Sequence, residues 1–161
     1  MKRELFLIAL TSTLFFSGCL QTDKKMVTID GQKVSARFFK SQAIKDSDSN
    51  KTKELKRLLL DKKFYRVYAD GNKYSHFFSS YGAQKSANVD DSGKEGSISF
   101  EEFTIKDYHI SIDYYKTVEC DYIGNSNGII TLKCESANGK STWKLAKTLQ
   151  DAKSNLSTID N

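Results

Sequence analysis

From Met26 onward, apolar and polar residues alternate in short runs, the period-two pattern of half-buried strands. Met26-Val-Thr-Ile and the run to Phe38-Phe39 flank Asp30-Gly31, which predicts a small hairpin. Residues 41–53 are rich in Ser, Asp, Lys and Asn and read as a loop. Leu55, Leu58 and Leu59 then recur at i, i+3, i+4, predicting one short helix from Thr52 to Asp61. Thr52 is its expected cap, and Lys53, Lys56 and Arg57 its wet side. A strand from Phe64 turns at Asp70-Gly71-Asn72 and returns as Lys73–Phe78, with Tyr74, His76 and Phe78 on one side. Residues 79–96, rich in Ser, Gly, Ala and Asp, read as a long loop.

Ile98 and Phe100 have one parity, Phe103 and Ile105 the other, so a bulge or corner is expected near Glu101-Glu102. Tyr108, Ile110, Ile112 and Tyr114 alternate cleanly. Further strands carry Val118, Cys120 and Tyr122, then Ile130, Leu132 and Cys134, then Thr142 to Leu145, with turns at Gly124–Gly128 and Ala137–Gly139. Residues 150–161 are polar and read as a flexible tail. The pattern predicts a mainly β fold: a small antiparallel barrel or strongly curved meander sheet, with one short N-terminal helix.

The first nineteen residues follow a different rule. Lys2 and Arg3 precede an apolar run from Leu5 to Phe16, too short to span a bilayer, and then Phe16-Ser17-Gly18-Cys19. This layout resembles the signal peptide and lipobox of bacterial lipoproteins, with Phe16 where that family usually has Leu. The resemblance implies that Cys19 is lipidated and becomes the mature N-terminus. Residues 1–18 are then a signal peptide, 19–50 the lipid anchor, tether and small hairpin, 51–149 a β-rich domain, and 150–161 the tail. The expected location is the bacterial cell membrane or outer membrane, with the domain outside the cytoplasm. Leu20, just after the cysteine, permits outer-membrane delivery under the usual enteric sorting preference. Loss of Lys2, Arg3 and Glu4 lowers the formal charge from +5 to +4. That balance favours acidic partners only weakly, and an exported chain would not meet nucleic acid.

With Cys19 assigned to the anchor, Cys120 and Cys134 remain in an oxidising compartment, where a disulfide is expected. The intervening turn reverses the chain. A register in which paired numbers sum to 254 sets Tyr122 opposite Leu132 and Cys120 opposite Cys134 on one face. No compact Cys/His spacing suggests a metal.

Asp91 to Glu102 resembles an EF-hand calcium loop, with Asp91, Glu95, Ser99 and Glu102 at ligand positions. Gly93 removes a usual ligand, and the period-two residues after Glu102 predict a strand where that family has a helix. His76 and His109 lie among strand residues without a recognisable catalytic context. Phe64, Tyr65, Tyr68, Tyr74, Phe77 and Phe78 are candidates to line an apolar pocket or fill a core. Tyr114, Tyr115 and Tyr122 are candidates for a partner surface. The leucine helix leading into Lys63-Phe64-Tyr65-Arg66-Val67 and a meander is similar to the opening of bacterial lipocalins, without their Gly-x-Trp. That resemblance implies a carrier fold.

The function these features favour is a lipid-anchored envelope protein with a non-catalytic binding or scaffolding role. Its partners would be the membrane, through Cys19, and an unknown envelope protein or apolar small molecule. The alternative is a lipocalin-like carrier of an apolar small molecule, and the third reading an envelope enzyme using His76 or His109. No cofactor motif is present.

Overall fold

The computed structural model describes residues 25–113 and 115–160. Strands β1 (Met26–Ile29) and β2 (Gln32–Ser35) form the expected hairpin. Its two-residue turn places Asp30 and Gly31 at φ 44° and 79°, the positive values that Asp-Gly supports. Helix α1 (Asn50–Leu59) follows a turn of 3-10 helix and a loop. Ser49, not Thr52, caps α1: its hydroxyl accepts from the Thr52 N–H at 3.1 Å. Lys56 is not on the wet side. It is 4% exposed, and its Nζ lies 2.9 Å from Asp48 Oδ2.

Nine strands then make one antiparallel sheet in sequential order, from β3 (Lys63–Val67), β4 (Lys73–Phe78), β5 (Ala83–Val89), β6 (Glu95–Lys106) and β7 (His109–Asp113) to β8 (Val118–Ser126), β9 (Ile129–Ser136), β10 (Gly139–Leu145) and β11 (Thr158–Asp160). The sheet curls into a half-barrel. Beyond the end of β10, Ala146 exchanges backbone hydrogen bonds with Tyr65 of β3 at 2.7 and 3.0 Å. The mainly β, strongly curved meander expected from the alternation is the fold found.

Three local expectations are corrected. The segment 79–96 is not a long loop, because it contains β5. The tail is ordered as a second short helix, α2 (Leu149–Ser154), and as β11. No register shift falls at Glu101-Glu102; the shift lies between Ala87 and Val89. The two parities of β6 have another cause, since both faces are covered. Phe103 and Ile105 join the interior, while Phe100 packs with Phe77 and Ala83 beneath Val27 and Ile29 of the hairpin.

Inward side chains, including Phe64, Phe78, Phe103, Ile110, Leu132 and Leu145, form the main core with Leu55 and Leu59 of α1. Cys120 and Cys134 pair as expected and are joined by a disulfide within this core, with Cα atoms 4.0 Å apart. The 254 register holds from Glu119 to Tyr122; a bulge follows between Tyr122 and Gly124, and the reversal itself is at Asn127-Gly128. Outside β3, α2 covers Val67 and Tyr65 through Ala152 and Leu149. Gly82, between β4 and β5, has φ +90°, and a Cβ there would fall 2.0 Å from the Lys40 carbonyl oxygen. That close approach requires glycine.

Candidate functional site

The inward positions of β3 to β6 run in rungs across the sheet. Nearest α1, Phe78 pairs with Gln84 and Gln84 with Glu101. The next rung is Phe64, His76, Ser86 and Ser99, and the next Arg66, Tyr74 and Asn88. Along β3 and β4 the interior therefore changes from Phe64 and Phe78 to Arg66, Tyr74 and His76, while β5 is polar in every rung. The polar part borders a half-open cavity of about 490 Å³, lined by Arg66, Tyr74, His76, Gln84, Ser86, Asn88, Ser99, Glu101 and Trp143 among others. Trp143 reaches it from β10 because the sheet curls.

Arg66 is 7% exposed and has no carboxylate within ion-pair distance among the described residues. Its guanidinium carbon sits 3.7 Å from the Trp143 ring centroid, 4.9 Å from that of Tyr68 and 5.0 Å from that of Tyr74. These cation–π contacts offset part of its desolvation. Nε and Nη1 have no hydrogen-bond partner among the described residues. Burial draws its pKa down to about 10, against the pull of Tyr68 and Tyr74.

His76 is fully enclosed and stacks on Trp143 at 5.5 Å and 22°. Burial, and then the Arg66 charge, hold its pKa well below 6.5, so the ring is neutral near neutral pH. Its Nδ1 lies 2.8 Å from the Gln84 Nε2, which donates in that assignment. The ring proton then belongs on Nε2, which has no partner. Glu101 Oε2 is likewise unpartnered. Burial raises the Glu101 carboxyl above its ordinary pKa, with a hydrogen bond from Ser99 opposing. One cation, one neutral imidazole and one carboxyl that resists ionisation thus surround the same space. Such a set can hold a ligand's charge and hydrogen-bonding groups away from water.

The aromatic candidates do not share a wall, because neighbours along a strand face opposite sides. Phe64 and Phe78 are fully buried in the core beside α1. Tyr65 packs outward toward α2, and Phe77 outward under the hairpin. Tyr68 stands edge-on to Tyr74 at 6.1 Å, and of the six only Tyr74 lines the cavity. Sequence reasoning missed Arg66, Gln84 and Trp143; Glu101, with Asp113, was legible as a carboxylate that folding could bring to a histidine, and it lines the cavity with His76. For Arg66 a usable sign existed: it shares parity with buried Phe64, an inward position for a charged residue.

His109 lies far from this arrangement in chemistry. It is half-buried on β7 and pairs with β8: Nδ1 lies 2.8 Å from Asp121 Oδ1 and Nε2 2.7 Å from Glu119 Oε2. The bond to Asp121 raises its pKa, burial opposes, and Glu119 adds to the rise. The calcium-loop candidates lie on or beside strand β6, each otherwise engaged. Asp91 meets Lys153 at 3.2 Å and Lys73 at 3.5 Å, Glu95 meets Lys63 at 2.9 Å, Ser99 donates to the Ser86 carbonyl at 3.5 Å, and Glu102 accepts from the Lys40 N–H at 3.2 Å. Among the described residues no three His, Cys, Asp or Glu side chains group as metal ligands. Tyr115 is 97% exposed, and Tyr122 packs against Tyr108 with ring centroids 5.3 Å apart. Cys19, the signal-like segment and Tyr114 lie outside the described residues. No helix among the described residues is long and apolar enough to cross a membrane.

No family model matches this chain, and neither a curated protein nor a solved structure is significantly similar to it.

Proposed function

We propose that this chain is a lipid-anchored envelope protein whose curled sheet is a non-catalytic binding domain, taking a small molecule into the cavity beside Arg66. The observation that carries the reading is the coincidence of cavity and unmet polar atoms: Arg66 Nε and Nη1, His76 Nε2 and Glu101 Oε2. Buried polar groups cost free energy unless they are hydrogen-bonded. The three residues that carry them all line one cavity, and an occupant drawn against these side chains would complete them. The anchor part of the proposal rests on Phe16-Ser17-Gly18-Cys19. Two or more acyl chains on Cys19 would hold the domain at the membrane face, where a single chain holds only marginally.

The cavity also bears on the enzymatic reading, because His76 and Glu101 line it together. The Gln84 contact leaves His76 only its Nε2 for chemistry.

Native mass spectrometry of the protein extracted from its host membrane tests both parts. The expected spectrum shows lipid on the N-terminal peptide and a small molecule released intact on unfolding. Replacing Cys19 by Ser should move the protein out of the membrane fraction. Unchanged retention without lipid sinks the anchor. Protein that never carries a small molecule sinks the binding reading, and a chemically altered occupant moves it to catalysis.

A further inference from the structure

We propose that the cavity ligand is a small organic monocarboxylate bearing further hydroxyl or amide groups, with its carboxylate set against the Arg66 guanidinium. This rests on the binding reading above and specifies what is bound.

The charge balance of the lining leads to this class. Among the described residues, Arg66 and Glu101 are the only charged residue types around the cavity. Arg66 is buried with two unpartnered guanidinium nitrogens and no counter-ion among the described residues. A guanidinium removed from water without a counter-charge is unstable relative to one that is paired, so the missing component is an anion. Carboxylate suits a guanidinium through charge-assisted hydrogen bonds. A dianion such as phosphate brings a second negative charge that no other cation in the lining meets. His76, neutral and protonated on Nε2, adds a donor without adding charge.

The rest of the ligand follows from the rest of the wall. Arg66 and His76 already stack on Trp143, the chain's single tryptophan. Ser86, Asn88, Ser97 and Asn138 present hydroxyl and amide groups around the remaining space. Glu101, whose Oε2 is unpartnered, can accept from or donate to a ligand hydroxyl. A long apolar chain would leave all of these unmet.

The test uses the full-length lipoprotein in detergent, with Trp143 fluorescence and calorimetry as readouts. The probes are gluconate, its uncharged counterpart sorbitol, and inorganic phosphate. Gluconate should bind saturably at roughly millimolar or tighter. Sorbitol and phosphate should bind at least about tenfold more weakly, a difference of about 1.4 kcal/mol. Arg66→Met should abolish the preference for gluconate over sorbitol, and Arg66→Lys should keep part of it. Thermal melts confirm that each variant folds; if Arg66→Met does not, the comparison of gluconate with sorbitol on the wild type decides. Equal binding of gluconate and sorbitol overturns the carboxylate assignment while leaving a binding cavity in place. Preference for phosphate, or no response to any probe, also overturns it. The mass spectrum of the native occupant separates these failures from failure of the binding reading itself.

Discussion

Lys85 is 3% exposed, yet it is satisfied, because the hairpin and β6 bring carboxylates to it. Its Nζ lies 2.7 Å from Asp30 Oδ2 and also bonds Glu95. Lys63 meets the same two carboxylates at 2.8 and 2.9 Å, and Ser75 donates to Glu95 at 2.9 Å. Burial works against the Glu95 charge, but the bonds from Lys85, Lys63 and Ser75 outweigh it and hold the pKa at about 2, below the usual 4.5. A depressed carboxyl contributes stability that is present above pH 4.5 and lost as pH falls toward 2. The contribution is up to about 3 kcal/mol at neutral pH. Urea unfolding of the wild type should therefore weaken steeply across that interval. Glu95→Gln should lower stability at neutral pH and flatten the acid slope; an unchanged slope would mean that this network does not hold the fold. His109 has the opposite sign. Its pKa is raised, chiefly by Asp121, so its contribution is present below pH 6.5 and fades as pH rises through the folded value. Its partial exposure keeps that contribution small.

The β8–β9 hairpin carries the disulfide because its register sets Cys120 opposite Cys134, both inside the core. A loop of about 15 residues closed in the unfolded chain is worth roughly 3 kcal/mol. Replacing both cysteines by alanine should cost about that much in guanidinium unfolding, for a domain whose total is of order 10 kcal/mol. Non-reducing peptide mapping should recover the 120 and 134 peptides joined. A loss well below 1 kcal/mol would show that the hairpin is held by packing alone. Strand β5 makes the contrary point. Its inward residues Gln84, Ser86 and Asn88 are polar, and its outward Lys85 is buried under the hairpin. Its other outward residues, Ala83, Ala87 and Val89, are buried but mostly small, so the apolar signal is weak and the strand reads as a loop; the polar inward face walls the cavity.

The interior as a whole divides between two demands. Beside α1 it is packed with Phe64, Phe78, Phe103 and Leu132. Around His76 it holds Arg66, one rung further from α1, and Glu101, one rung nearer to it, with polar atoms unmet. Stability and binding oppose each other there. In the ligand-free protein, Arg66→Met should raise stability by on the order of 1 kcal/mol, because it removes an unpaired buried charge while keeping an apolar stem. Differential scanning calorimetry without ligand reads this directly. A large destabilisation would make the Trp143, Tyr68 and Tyr74 stack the reason Arg66 is there, and the cavity a by-product of it.

Much of this architecture is local and was legible along the chain. Asp30-Gly31 and Asn127-Gly128 adopt the positive φ values of tight hairpins wherever they occur, and alternation in β4 and β7 to β10 follows from the pleat. The meander order follows because short turns leave successive strands adjacent. The period of two puts Cys120 with Tyr122 and Cys134 with Leu132 on one face, but the bulge between Tyr122 and Gly124 is what sets the two cysteines opposite each other. The proposal of a lipid anchor at Cys19 rests on sequence alone, since its residues lie outside those described. What alternation cannot say is what covers each face. Residues 150–161 look frayed until α2 meets Val67 and β11 pairs with β10. Phe100 and Phe103 look out of phase until the hairpin covers one face of β6 and the core the other. Arg66 and Trp143, 77 positions apart, stack only because the sheet curls far enough for β10 to approach β3. Period-two patterning assigns side chains to two faces; curvature and cover, which are long-range, decide which face is dry and what chemistry meets inside it.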